Sequence, residues 1–336
     1  MTQTSNSEFY RYIDAFSSKK ILILGDLILD EYIWGNAERI SPEAPIPVVN
    51  ILKTEVRLGG AANVAMSILA LGGQPELTGI IGDDDSGAKF LKTAESLGLS
   101  TDGIFVVPGH ITPLKTRVIA SSQQMLRIDN ERIEPIENDI RGKLIEYLIT
   151  QLENSSALLI SDYAKGLIGS ELLAPVLDKA KSLELLITVD PKPVNMHLYK
   201  GVTLVSPNLK ETAIASGVKI TDQKSLSLAA SILMDKISPK ALLVTRGSDG
   251  LSLFESDSEY HLPAMASQVY DVSGAGDTVI GTLTLSLAAG AHLKDAVEIA
   301  NCAAGVVVRK PGVATISPVE LKDALKNRLE WDKSVS

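Results

Sequence analysis

The run ILILGDLILDEYIWG, residues 21–35, holds two kinds of strand. Its opening, ILILGD (21–26), is apolar at four successive positions before a Gly-Asp close, so both faces of an extended chain would be apolar there. A strand of that kind is covered on both sides, as in parallel α/β sheets. Its close, EYIWG (31–35), is also strand-like, yet no helical pattern is paired with it. One stretch therefore predicts a doubly covered sheet and a β-rich attachment growing out of it.

The same double-faced character recurs in LTGIIGD (77–83), ALLISD (157–162), LLITVD (185–190), TLVSPN (203–208) and ALLVTRG (241–247). Helical patterns lie between most of them, including AANVAMSILALG (61–72), SGAKFLKTAESLG (86–98) and DIRGKLIEYLITQLE (139–153). The alternation predicts an α/β fold with a doubly wound, mostly parallel sheet. PIPVVNILKTEVRLG (45–59), IFVVP (104–108), LKTRVIAS (114–121) and QQMLRIDN (123–130) read as strands without helices. With EYIWG they predict a small β lid inserted at about 31–58 and 104–130 in a single domain over 1–336.

Several parallel strands close on a polar residue: Asp26, Asp162, Asp190, Asn208 and the pair Thr245–Arg246. Carboxyl ends of parallel strands share one edge, where open α/β sheets bind ligands. Strand-ending Asp and Asn also serve simply as turn and cap residues.

The bulk composition narrows the function classes. The 336 residues carry 32 Lys and Arg against 41 Asp and Glu, a net charge of −9, which argues against nucleic acid as a partner. A local basic pocket for a small anion remains compatible with it. The lone Cys302 allows no internal disulfide, and the four histidines have no metal-ligand spacing. The polar N-terminus has no signal-peptide core. The longest uncharged stretch, 278–293, is short for a membrane span. A cytoplasmic protein with no membrane partner is expected.

Four motifs carry chemistry. DVSGAGDT (271–278) sets Gly274, Ala275 and Gly276 before Asp277 at the mouth of an apolar helix. The free N–H groups of a helix N-terminus attract anions, and glycines let an anion approach them. Asp277 would then take a proton from an attacking hydroxyl, or else it caps the helix. In RLGGAANVAMSILALGG (57–73), Gly59 and Gly60 open a helix with Asn63 near its first turn. That arrangement suits a sugar pressed on backbone, or a tight strand-to-helix turn. In SPNLKET (206–212), Asn208 and Glu211 lie three apart, able to hold hydrated Mg²⁺ beside phosphates or to form a capping box. In GDLILDEY (25–32), Asp30 follows Asp26 after the first strand and offers two acceptors to sugar hydroxyls, or serves as a surface or capping carboxylate. No GxxxxGK[ST] loop occurs, and the GxGxxG pattern breaks at Val279.

Taken in order, these motifs resemble those of the ribokinase-like (PfkB) carbohydrate kinases, over about residues 20–328. The resemblance implies an ATP-dependent sugar kinase with Asp277 as base and Gly274, Ala275 and Gly276 as anion hole. It implies Asn208 and Glu211 for the magnesium–phosphate contact, and Thr245, Gly247 and Asn301 around the nucleotide. Asp30, Gly59, Gly60 and Asn63 match sugar contacts. A homodimer formed through the lid and a possible monovalent-cation requirement are further implications.

RISPEAPIPVVN (39–50), KTRVIASSQQMLRID (115–129), ISDYAKG (160–166) and VDPK (189–192) give a narrower resemblance, to the heptose 7-phosphate kinases. These phosphorylate O1 of D-glycero-D-manno-heptose 7-phosphate for the lipopolysaccharide core precursor ADP-heptose. The sequence to Ser336 holds no HxGH nucleotide-transfer motif, so the stand-alone form is expected. Leu58 stands where these kinases often have Pro. Lys115, Arg117 and Arg127 in the lid, and Lys165 and Lys192 after strand ends, are candidate cations for a substrate phosphate, with Asp162 beside the sugar. Another sugar kinase of the family, or an inactive sugar-binding regulator, would share much of the pattern. Intact Asp277 behind its glycines argues against the regulator.

Overall fold

The computed structural model describes residues 6–121, 123–265 and 269–335. In chain order the strands are β1 (Lys20–Gly25), β2 (Leu27–Ile40), β3 (Pro47–Gly60), β4 (Gln74–Gly82), β5 (Ile104–Val107), β6 (Leu114–Ala120) and β7 (Gln123–Asn130). They continue with β8 (Ala157–Ser161), β9 (Leu186–Asp190), β10 (Leu204–Val205), β11 (Ala241–Thr245), β12 (Leu251–Glu255) and β13 (Ser258–Leu262). Among the described residues they form a nine-stranded sheet, β13-β12-β11-β10-β9-β8-β1-β4-β5, and a four-stranded sheet, β3-β2-β6-β7.

β1 shows why the large sheet is covered on both faces. Ile21 and Ile23 enter one apolar layer, with residues of the helices Ala61–Ala70, Ala275–Ala288 and Leu293–Val307. Leu22 and Leu24 enter the other, with the helices Asn138–Leu152, Ser170–Ser182 and Gln223–Ile237. All four side chains are fully buried. Each such burial stabilises by roughly 1.5–3 kcal/mol. The period-2 alternation of strand side chains thus splits one apolar run between two cores. The pairings from β5 through β11 are all parallel, so Asp26, Asp162, Asp190 and Thr245 gather at one edge.

One expectation changes, and one pair of strands is new. IFVVP is no part of the lid: β5 pairs in parallel with β4 through Gly79↔Ile104 and extends the large sheet. It follows the helix Asp85–Ser96, and its Ile104 and Val107 are buried, so it is an ordinary crossover strand. The antiparallel pair β12 and β13 closes the other edge, turning at Ser256–Asp257. SEYHL alternates inward and outward, a pattern too short and polar to stand out in the sequence.

β2 starts immediately beyond β1, with Leu27, Ile28 and Leu29 still in the core, but it belongs to the small sheet from its first residue, pairing with β3 from Leu27 and with β6 from Leu29. The small sheet therefore stands at the same edge as the gathered carboxylates. β7 is exposed along its whole length, and Ile51, Leu52, Leu126 and Ile128 present an apolar outer surface. Among the described residues no helix is long and apolar enough to cross a membrane.

Candidate active site

The acceptor side is built by β2, β3, β6 and the helix Ala61–Ala70. Gly60 caps that helix at φ 60°, and a Cβ on it would lie 2.3 Å from the Asp26 carbonyl oxygen. A Cβ on Gly59 would lie 2.5 Å from Asp30 Oδ2. Both glycines therefore let the β3–helix turn close against β2. Arg117 Nη1 donates to Asp30 Oδ1 at 2.7 Å, and its guanidinium lies over the Tyr32 ring at 5.2 Å. Lys115, two residues back on β6, has no ion pair among the described residues; its ammonium stands 5.9 Å from the Tyr163 ring centre. Burial, with Lys165 nearby, lowers the Lys115 pKa.

The helix Ala275–Ala288 begins at Gly274, whose φ of 76° suits glycine. Asp277 sits in its first turn and is 8% exposed. Asn63 Nδ2 donates to Asp277 Oδ2 at 2.5 Å, and the Tyr163 hydroxyl donates to Oδ1 at 2.8 Å. Burial pushes the Asp277 carboxyl above the ordinary aspartate value, and the two hydrogen bonds and the Lys192 charge draw it partly back. Burial, then the adjacent Asp277, pushes the Tyr163 phenol well up. The phenol is therefore a fixed donor at neutral pH.

The donor side is built by the ends of β9, β10 and β11. Asn208 caps the helix Leu209–Ser216, and its side chain accepts from Glu211 N while Glu211 Oε2 accepts from Asn208 N. The capping box anticipated as the alternative is thus present. It does not exhaust Glu211: its Oε1 accepts from Lys192 Nζ at 2.5 Å. Burial disfavours the Lys192 charge, but Glu211 and then Asp190 outweigh it and hold the ammonium above the usual lysine range. Burial and then Asp277 push Asp190 well up.

Two cavities meet at Asp277. One, of about 190 Å³, is lined by Asp190, Lys192, Asn208, Glu211, Thr245 and Gly276. The other, of about 220 Å³, is lined by Asp30, Gly59, Gly60, Asn63, Lys115 and Arg117. Tyr163, Gly274 and Asp277 line both.

Several sequence expectations need correction. Lys192 was expected beside the sugar; it faces the donor cavity instead, because it follows β9 rather than the small sheet. Asp162 is fully buried and accepts from Ala164 N, Lys192 N, Asn195 Nδ2 and the Tyr199 hydroxyl. Those contacts make it an internal anchor rather than a sugar contact. Asn301 is 4% exposed, lines neither cavity and donates to the Pro263 carbonyl. The Ala275 N–H is taken by the Val272 carbonyl at 3.2 Å, which leaves the anion-binding turn to its neighbours. Gly247 turns at φ 60° beyond β11 without lining either cavity, and Arg127, paired with Asp129, also lines neither. Lys165 pairs with Glu131. Tyr163 was missed as a site residue, and Asp190 was read only as one of the strand-ending acids at the ligand edge, with no role of its own. Their signal was position: each lies at or just beyond the carboxyl end of a parallel strand.

This fold is ribokinase-like. A ribokinase from Arabidopsis thaliana, complexed with ribose and ATP, superposes with a TM-score of 0.73 over 92% of this chain and 99% of its own, at 20% identity. The phosphofructokinase-2 of Escherichia coli in complex with potassium gives 0.74 over 91% and 97%, at 20% identity. The family model "pfkB family carbohydrate kinase" matches residues 18–320, and the chain belongs to that family. It is a carbohydrate kinase, a phosphotransferase. Among curated relatives, the "Bifunctional protein HldE" of Trichlorobacter lovleyi is 44% identical over 306 residues, covering 91% of this chain and 62% of the relative. That of Citrifermentans bemidjiense is 42% identical over 315 residues, covering 94% and 65%. The chain thus spans less than two thirds of the length of either relative.

Proposed function

We propose that the protein transfers the γ-phosphoryl group of ATP to O1 of D-glycero-D-manno-heptose 7-phosphate, giving heptose 1,7-bisphosphate and ADP for ADP-heptose synthesis in the cytoplasm. The observation that carries this reading is Asp277, shared by two cavities that each hold both carboxylates and cations. The donor cavity has Lys192, Asn208, Glu211 and Thr245 for nucleotide phosphates, with Gly247 beyond β11 toward the rest of the nucleotide. The acceptor cavity has carboxylate and amide groups for hydroxyls, with Lys115 and Arg117 for a second anion.

Asp277 accepts the proton of the acceptor hydroxyl as its oxygen bonds to the γ-phosphorus and ADP leaves. A carboxylate raised by burial is the better base near neutral pH. Gly274 and Gly276 leave the helix N-terminus open to the transferring group, where N–H dipoles favour negative charge. Mg²⁺, when bound, would neutralise phosphate charge. Both Glu211 oxygens are engaged, by Lys192 and by Asn208 N, so Asn208 and Glu211 fit a contact through water. Asp30, Gly59, Gly60 and Asn63 would orient the sugar. The small sheet would act as the lid of the one-domain kinase, and its apolar outer surface would meet a second copy.

A kinase assay with ATP against heptose 7-phosphate, heptose, ribose, fructose and fructose 6-phosphate tests the reading. Preferential turnover of the heptose phosphate supports it. Equal kcat/KM for phosphorylated and free heptose removes the heptose phosphate assignment. An unchanged rate in Asp277→Asn removes the base.

A further inference from the structure

The segment after β8 is wound in an unfavourable way for its sequence. Ala164 has φ 55° and Gly166 φ 103°, so a non-glycine residue sits in the left-handed region. Two buried carboxylates hold it there. Asp26 Oδ2 accepts from Tyr163 N at 2.8 Å and Lys165 N at 3.2 Å. Asp162 Oδ1 accepts from Ala164 N at 2.8 Å. Asp26 is 3% exposed and Asp162 fully buried, and both lie at the carboxyl ends of neighbouring strands. Two like charges in one buried spot, clamping a strained turn, would weaken a fold unless the turn did something else.

What the turn delivers is Tyr163. Its hydroxyl reaches Asp277 Oδ1, and its ring centre lies 5.9 Å from the Lys115 ammonium of the acceptor cavity and 5.3 Å from the Lys192 ammonium of the donor cavity. One donor bond from Tyr163 and one from Asn63 fix the rotation of the Asp277 carboxylate.

We propose that Asp26 is a positioning residue for phosphoryl transfer, acting through Tyr163 on the orientation and basicity of Asp277. The proposal rests on Asp277 being the base. Nothing in it requires Asp26 or the Tyr163 hydroxyl to touch the nucleotide.

The test combines Tyr163→Phe, Asp26→Asn and the double variant in the full chain. Tyr163→Phe keeps the ring beside both lysines and removes only the donor. Losing a hydrogen bond to a charged carboxylate should cost about tenfold in kcat and raise the Asp277 pKa by about one unit. The pKa is read without turnover, from the carboxyl carbon-13 signal of labelled aspartate that disappears in Asp277→Asn. The groups that face Asp277 are Tyr163, Lys192, Asp30 and Asp190, and neither variant removes any charge among them. Asp26→Asn should lower kcat with the KM of ATP unchanged, and should cost little more once Tyr163 is already Phe. Additive losses, or an unmoved Asp277 pKa in Tyr163→Phe, overturn the proposal. Should Asp26→Asn fail to fold, the pKa in Tyr163→Phe alone decides. If Asp277→Asn retains full turnover, the base assignment fails, whereas a dead Asp277→Asn beside an unaffected Tyr163→Phe defeats this inference alone.

Discussion

Asn63 Nδ2 and Asp277 Oδ2 meet at 2.5 Å across 214 residues of sequence. Each lies in the first turn of its helix, so the contact ties two helix N-termini together. Close packing behind it makes this possible: a Cβ on Gly281 would already touch Ile68 at 3.4 Å. Asn63→Ala leaves the buried carboxylate with one donor fewer, which raises its pKa further. We expect kcat to fall about tenfold with the KM of ATP unchanged. Steady-state kinetics showing a normal kcat would reduce Asn63 to a packing residue.

Gly274 and Gly276 should respond differently to alanine. At Gly274 the backbone is left-handed, and the new Cβ would lie 2.8 Å from Asn63 Nδ2. Gly274→Ala should cost at least about 1 kcal/mol of stability and displace Asn63 from Asp277. At Gly276 no atom lies within 4 Å of the added Cβ, and the position is helical. Gly276→Ala should leave Tm unchanged or higher while weakening ATP binding, since it narrows the donor cavity. Thermal melts with ATP titrations separate the two. Equal loss of stability in both would contradict the geometry.

Much of this was legible in the sequence because it rests on local signals. The apolar run of β1, the paired glycines before Asn63 and the glycines before Asp277 each announce a strand or a helix start. What stayed hidden depended on distant partners. Asp162 looks like any strand-ending acid until Asn195 and Tyr199 fold onto it. Lys192 looks equally suited to either anion until Glu211 claims it. Asn301 matches a binding position, yet the Pro263 carbonyl beside it takes its donor. The strand β5 was misplaced because four residues carry no periodicity that tells one sheet from another.

Asp26 should make stability depend on pH. Burial, against the Tyr163 hydrogen bond, raises its carboxyl from 3.8 to about 6. A raised acid favours folding in its neutral form. Its contribution is fully present below 3.8 and is lost as pH rises through about 6, a change of roughly 3 kcal/mol in all. Asn at this position carries no charge to bury. The stability advantage of Asp26→Asn over wild type should therefore grow by roughly 1–2 kcal/mol from pH 5 to pH 8. Urea unfolding at the two pH values checks this; a constant difference rules out titration of Asp26 in that range.

Glu211→Gln separates the cap from the metal contact. Glutamine still accepts from the Asn208 N–H and so preserves the capping box. It removes the charge that faces Lys192 and that would face hydrated Mg²⁺. The magnesium concentration for half-maximal turnover should rise several-fold with little change in Tm. A variant with wild-type magnesium dependence would show that Glu211 is a cap alone.

The two lysines against Tyr163 should divide the substrates between them. Lys115 lines the acceptor cavity without an ion pair among the described residues, whereas Lys192 lines the donor cavity on Glu211. An unpaired, partly buried ammonium has already lost much of its hydration, so a phosphate dianion meets it at little further desolvation cost. A charge-assisted hydrogen bond contributes about 1.5–3 kcal/mol, or roughly tenfold to a hundredfold in binding. Lys115→Ala should raise the KM of heptose 7-phosphate by that factor, leave the KM of ATP near wild type and nearly equalise kcat/KM for heptose 7-phosphate and free heptose. Lys192→Ala should do the reverse, raising the KM of ATP and preserving the preference for the phosphorylated sugar. Arg117→Ala should fall short of Lys115→Ala, because Asp30 already neutralises the guanidinium at 2.7 Å. If Lys115→Ala alters only the KM of ATP, the sugar phosphate is not held in the cavity between β2, β6 and Tyr163.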